Sequence, residues 1–157
     1  MGWHPVGIRG QVDRRHDVRV MMIKGDREPG HLPSEEFLAQ MAKYNEALSK
    51  TGVLLDLAAL HWSAEGVRVK LSPGRRTVID GPFGEAQAIV AGYWILQVAS
   101  MEEAIDWAKR LPFEAGGEPE AEGEIELRQL FELEEFGKSP AVERGRKLEG
   151  ELPKNKA

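Results

Sequence analysis

Asp80, His61 and Asp56 are side chains in this 157-residue sequence whose type and setting could move a proton or orient a ligand. Asp80 opens the run Asp80-Gly81-Pro82-Phe83. Gly admits φ > 0, while Pro lacks an N–H and fixes φ, so the chain must bend here and bring backbone close to whatever binds. A carboxylate at such a bend can serve as a general base or hold a ligand in orientation. The competing role is an Asx-type hydrogen bond that only holds the turn. His61 follows the apolar run 53–60, and His31 lies in an early loop. Either can titrate near neutral pH, although a partly exposed loop histidine is more often inert. Asp56 stands inside the apolar run, where a carboxylate must face a polar cavity or reach water at a strand edge. Phe83, Tyr93 and Trp94 can line a small apolar pocket or simply pack core and interface. Asp56, His61, Asp80, Phe83 and Tyr93 are thus the candidate ligand-binding set, with Asp80 and His61 as the acid–base candidates.

Other chemistries find no residues to carry them. The histidines stand at positions 4, 16, 31 and 61 without paired ligand spacing, so no metal is expected. There is no Cys, which removes thiolate catalysis and disulfides and fits a cytoplasmic location. No G-x-S-x-G elbow, P-loop or Rossmann fingerprint occurs, and no cofactor is expected.

The net charge is −5, but it is unevenly spread. Residues 1–17 carry +1 and residues 137–157 carry +3, leaving −9 on the middle. A body that acidic repels a phosphate backbone, so nucleic acid is not an expected partner. No apolar run approaches a membrane span, and the N-terminus lacks a signal-peptide core, so no membrane is expected either. At this length and 41% hydrophobic content one domain with a true core is expected. We place it at 18–136, with an N-terminal extension over 1–17 and a charged C-terminal tail over 137–157, both ends read as solvated and poorly ordered.

The elements that must position the candidates follow from periodicity. Residues 18–24 read as a strand ended by Gly25-Asp26. Ser34 is an N-cap before Glu35 and Glu36, opening a helix whose buried stripe is Phe37, Leu38, Met41, Ala42, Asn45 and Leu48, with Thr51-Gly52 as its stop. Residues 53–60 read as a strand with apolar side chains on both faces, needing two covers. Residues 66–71 and 76–79 alternate about Ser72-Pro73-Gly74-Arg75, which predicts a β-hairpin. Residues 92–98 form a strand with Trp94, Leu96 and Val98 on one face and Tyr93, Ile95 and Gln97 on the other. Ser100-Met101-Glu102-Glu103 is a capping box for a helix whose inward stripe is Ala104, Ile105, Ala108 and Leu111, ended by Pro112. Residues 125–130 supply a last strand. This order predicts a ferredoxin-like α+β sandwich with an inserted β-hairpin, both helices covering one sheet face. Tyr93 and Ile95 would lie on the bare face, and a patch of that size marks association. A second copy closing sheet on sheet is the expected partner.

Over about 18–136 the sequence resembles the DGPF branch of the YCII-related family. The residues that carry the resemblance are Leu32-Pro33-Ser34-Glu35-Glu36, Gly52-Val53-Leu54-Leu55, Asp80-Gly81-Pro82-Phe83 with Glu85, Gly92-Tyr93-Trp94, Glu103-Ala104-Ile105 and Glu126-Leu127-Arg128-Gln129. The resemblance implies a dimeric α+β barrel, and a start near the first strand that makes Met21 or Met22 a candidate initiator. It also implies an acid–base pair proposed for the wider family, a His in the first helix and an Asp after the second. Met41 and Leu111 occupy those places here, and neither moves a proton. Leu57-Ala58-Ala59 and Glu85-Ala86-Gln87-Ala88 likewise stand where the branch usually carries more polar segments. Two functions therefore follow as expectations. One is a homodimer binding a small, largely apolar or aromatic metabolite, with metal-free acid–base chemistry of a lyase or isomerase type. The other is a non-catalytic accessory or regulatory module that engages another protein.

Overall fold

A computed structural model describes residues 18–113 and 122–153. The expected extension over 1–17 lies outside the described residues. Among the described residues six strands and three helices follow in the order β1 (Val18–Lys24), α1 (Glu35–Lys50), β2 (Leu54–Ala59), β3 (Val67–Ser72), β4 (Arg75–Asp80), β5 (Val90–Gln97), α2 (Met101–Lys109), β6 (Glu124–Gln129) and α3 (Pro140–Glu151). Short 3-10 turns occur at Ser63–Glu65, Ala86–Ala88 and Leu133–Phe136. Four strands form one antiparallel sheet in the order β2-β5-β1-β6, and β3 pairs with β4 in a separate two-stranded ribbon. The architecture is α+β. The four-stranded sheet is open, and no barrel closes among the described residues.

Local chemistry sets the helix ends. The Ser34 hydroxyl accepts the Phe37 N–H at 3.1 Å, and Glu35 and Glu36 sit in the first turn, at the positive end of the helix dipole. Thr51 closes α1, its hydroxyl donating to the Ala47 and Leu48 carbonyls. Gly52 then takes φ +80°, which a side chain would resist. At α2 the Ser100 hydroxyl accepts the Glu103 N–H, but the Glu103 carboxylate reaches back to the Ala99 N–H rather than to Ser100. The capping box is thus displaced by one residue on its return arm.

The core lies between α1, α2 and the sheet face bearing Met21, Trp94 and Leu96. Met21, Leu48 and Leu96 are fully buried, each contributing about 1.5–3 kcal/mol. Two aromatics outside the expected stripes complete it. Tyr44 of α1 donates its O–H to the Trp107 carbonyl of α2 at 2.6 Å and packs edge-on against Trp94 and Trp107. The Trp94 indole N–H donates to Asn45 at 2.8 Å. The inward faces are rotated relative to the expected ones: Leu38 and Ile105 are exposed, whereas Tyr44 and Trp107 are buried. Large amphipathic rings, the Tyr44 hydroxyl satisfied by the Trp107 carbonyl, won the interior over smaller apolar neighbours.

Two further differences bear on function. β2 is a sheet edge, so Leu55, Asp56 and Leu57 are exposed and the second cover expected for this strand is not found among the described residues. Residues 140–151, expected to be part of a poorly ordered tail, form α3. Ser139 caps it by accepting the Val142 N–H, Pro140 occupies its first turn, and Gly145 packs on Leu133.

Candidate functional site

The turn Asp80-Gly81-Pro82-Phe83 is held by a residue far away in sequence. Ser63 is buried, its hydroxyl donates to Asp26 Oδ2 at 2.5 Å, and its N–H donates to Asp26 Oδ1 at 2.9 Å. The same hydroxyl oxygen accepts the Phe83 N–H at 3.3 Å. Burial pushes the Asp26 carboxyl up, but the bonds from the Ser63 hydroxyl, the Ser63 N–H and the Arg27 N–H together outweigh it, leaving the pKa below its ordinary value. Gly81 donates its N–H to the Gly66 carbonyl at 2.9 Å, and a Cβ on Gly81 would collide with the Ser63 carbonyl oxygen. Only glycine permits this approach. The Gly81–Pro82 peptide is cis. The Arg68 guanidinium lies 3.9 Å from the centre of the Phe83 ring, tying the turn to β3.

Phe83 and Asp80 stand at this root of the β3–β4 ribbon, and His61 lies just before Ser63 in the chain. Phe83 is half-buried. Asp80 ends β4 opposite Val67, is exposed, and makes no hydrogen bond to a described residue, so no Asx-type bond holds the turn. Ser63 and Gly66 take that role. His61 is exposed two residues before Ser63, with Nδ1 3.6 Å from Glu65 and its ring tilted against Trp62. His31 is exposed as well, 4.0 Å from Glu28.

The other two candidates lie on the sheet. Tyr93 pairs with Met22 and Ala58, and Asp56 pairs with Ile95, which in turn pairs with Val20. These pairings put Tyr93, Met22, Ala58, Ile95, Val20 and Asp56 on the face opposite Trp94. The apolar members are half-buried. Asp56 sits beside a bulge at Leu55, and its carboxylate accepts the adjacent Leu57 N–H at 2.8 Å. It is therefore a water-exposed strand-edge carboxylate. Across the sheet, Glu126 bridges Lys24 and Arg128 at 3.3 and 3.0 Å, and hydrogen bonds from Arg128 first and Lys24 second hold its carboxyl below the ordinary value.

The positions of the implied acid–base pair are both structural here, since Met41 and Leu111 pack against the core. Among the described residues no group of three His, Asp or Glu could hold a metal, and no helix is long and apolar enough to cross a membrane. A shallow cleft of about 70 Å³ between Thr51, Val53, Val98 and Glu103 contains none of the candidates. Small-molecule sites usually need several times that volume. Asp26 and Ser63 were missed by sequence reasoning. No local pattern links residues 37 apart, and only the carboxylate placed directly after β1 hinted at a role.

Comparison with known proteins matches the YCII-related domain to residues 18–133. An uncharacterized protein of Rhizobium meliloti (strain 1021) is 34% identical over 73 residues, 46% of this chain and 56% of that protein. The chain thus spans little more than half the length of that relative.

Proposed function

This chain belongs to the YCII-related domain family, and from that premise we propose that it acts as a homodimer binding a small apolar or aromatic metabolite. The observation that carries this reading is the sheet face bearing Val20, Met22, Ala58, Tyr93 and Ile95, apolar and rimmed by Asp56 and the Lys24–Glu126–Arg128 group. A face of this composition suits a second sheet, with the ligand between them. The strand order β2-β5-β1-β6 with two covering helices supports the ferredoxin-like arrangement, in which two open sheets close as a dimeric barrel. The Asp80-Gly81-Pro82-Phe83 turn supports placement in the DGPF branch. Asp80 at the root of the ribbon and His61 just before Ser63, both water-accessible, are the groups available for proton transfer without metal or cofactor.

A second reading has its own support. Met41 and Leu111 pack the core where the wider family is proposed to carry its acid–base pair. A chain that fills those positions with apolar atoms suits a non-catalytic module engaging another protein.

A thermal-shift screen against small aromatic and carboxylate metabolites separates the two, because a ligand that binds only the native state raises Tm. A saturating shift that is lost in Asp56→Asn supports the ligand site on the sheet face, and one lost in Asp80→Asn supports a site at the ribbon root. No shift across a broad panel supports the accessory role.

A further inference from the structure

The β3–β4 ribbon is gripped at one end and exposed along its length. Its root is held by the Gly81–Gly66 backbone bond and by Ser63, itself braced on Asp26. Every residue of the two strands except the half-buried Ser72 is exposed. The register sorts the side chains. Val67, Val69, Leu71 and Val78 share one face, each more than half exposed, with Arg76 and Asp80 at its two ends, while Arg68, Lys70 and Arg75 lie on the other with Ile79. A two-stranded hairpin is marginal alone in water, and an exposed apolar face marks a contact surface.

Charge selects what covers it. Arg68, Lys70, Arg75 and Arg76 against Asp80 give residues 67–80 a net +3, leaving −8 on the rest of the chain. Two such arms repel each other, and each is attracted to the body of another copy. That body offers a surface of matching kind along β2, at the edge of the sheet. Leu55, Leu57 and Leu60 are exposed along this edge, and the exposed Asp56 flanks it from the opposite sheet face to Leu57.

We infer that the β3–β4 arm docks on a second copy of this chain, its apolar face seated on the outer flank of the partner's β2, in two equivalent arm-to-body contacts about a twofold axis. The inference rests on the homodimer reading and adds what clasps the dimer. Twofold symmetry makes every contact twice, so a modest patch contributes doubly to the interface. The brace at Asp26 and Ser63 acquires a purpose in this arrangement: an arm oriented before encounter loses less conformational freedom on docking.

Sedimentation equilibrium of the full chain tests it. The wild type is expected to be a dimer, and Val69→Lys/Leu71→Lys, which alters no core side chain, is expected to weaken dimerisation by roughly a hundredfold or more with the far-UV spectrum retained. Because the chain has no Cys, the contact can also be trapped chemically. A short bismaleimide is expected to link a mixture of Leu71→Cys and Leu57→Cys chains, and to link neither chain with itself. A monomeric wild type overturns both this inference and the homodimer reading. A dimer unaffected by the arm variant, or Leu71→Cys linking to itself, overturns the arm while leaving the homodimer standing. Dissociation of the arm variant without the mixed cross-link overturns the seat on β2.

Discussion

Asp26 grips Ser63 at two points, accepting its N–H at 2.9 Å and its hydroxyl at 2.5 Å. Ser63 in turn accepts the Phe83 N–H, so a carboxylate just after β1 controls the placement of a turn more than fifty residues later.

Loss of either partner should loosen the turn. Asp26→Asn and Ser63→Ala are each expected to cost about 1–3 kcal/mol, and the double variant less than their sum, because both remove the same bonds. Urea unfolding of the four chains checks this. The Asp26 pKa is depressed on folding, so its contribution is fully present above the unfolded value near 3.8 and is lost as pH falls through the lower folded value. Wild type and Asp26→Asn should therefore converge in stability only at the acid end.

Two glycines facing the same carbonyl should respond differently. Gly81→Ala drives a Cβ into the Ser63 oxygen and is expected to cost about 3 kcal/mol, or to shift the ribbon root. Gly66→Ala meets that oxygen at 3.5 Å and the Phe83 ring at 3.8 Å, ordinary contacts, and should remain within about 1 kcal/mol of wild type. Denaturant midpoints of both variants decide it.

Tyr44 should ionise late. Burial, opposed only in part by the nearby Arg110, raises its pKa to about 12. The unfolded chain releases this proton near pH 10, so the stability Tyr44 confers is complete below pH 10 and declines as pH rises toward 12. Tyrosinate absorbance should show this late titration in wild type and lose it in Tyr44→Phe. That variant also forfeits the bond to the Trp107 carbonyl, at about 1–2 kcal/mol.

Asp80→Asn should leave folding nearly untouched. Its carboxylate is exposed and bonds to no described residue, so the melting temperature without ligand should change by less than the equivalent of about 0.5 kcal/mol. Any effect on ligand-induced shifts would then belong to binding rather than to the turn.

α3 should open before the sheet. Its contacts centre on the turn at Leu133–Phe136, through Gly145 on Leu133 and the Arg146–Glu134 ion pair. Amide exchange in α3 is expected to outpace that of β5, and Ser139→Ala should speed it further, by removing a cap worth about 1 kcal/mol.

Much of this fold is written in short-range pattern. The limits of β1, the Ser34 cap, the Thr51-Gly52 stop, the Pro73-Gly74 turn and the alternation around Trp94 depend on neighbours a few residues apart, as does the bend at Gly81-Pro82. Tertiary structure decided the rest, because it depends on which distant surfaces meet. Burial of Tyr44 and Trp107 in place of Leu38 and Ile105 follows from helix rotation against the sheet. The exposure of Asp56 follows from the edge position of β2, and the brace on the turn follows from a carboxylate and a hydroxyl that local periodicity cannot pair.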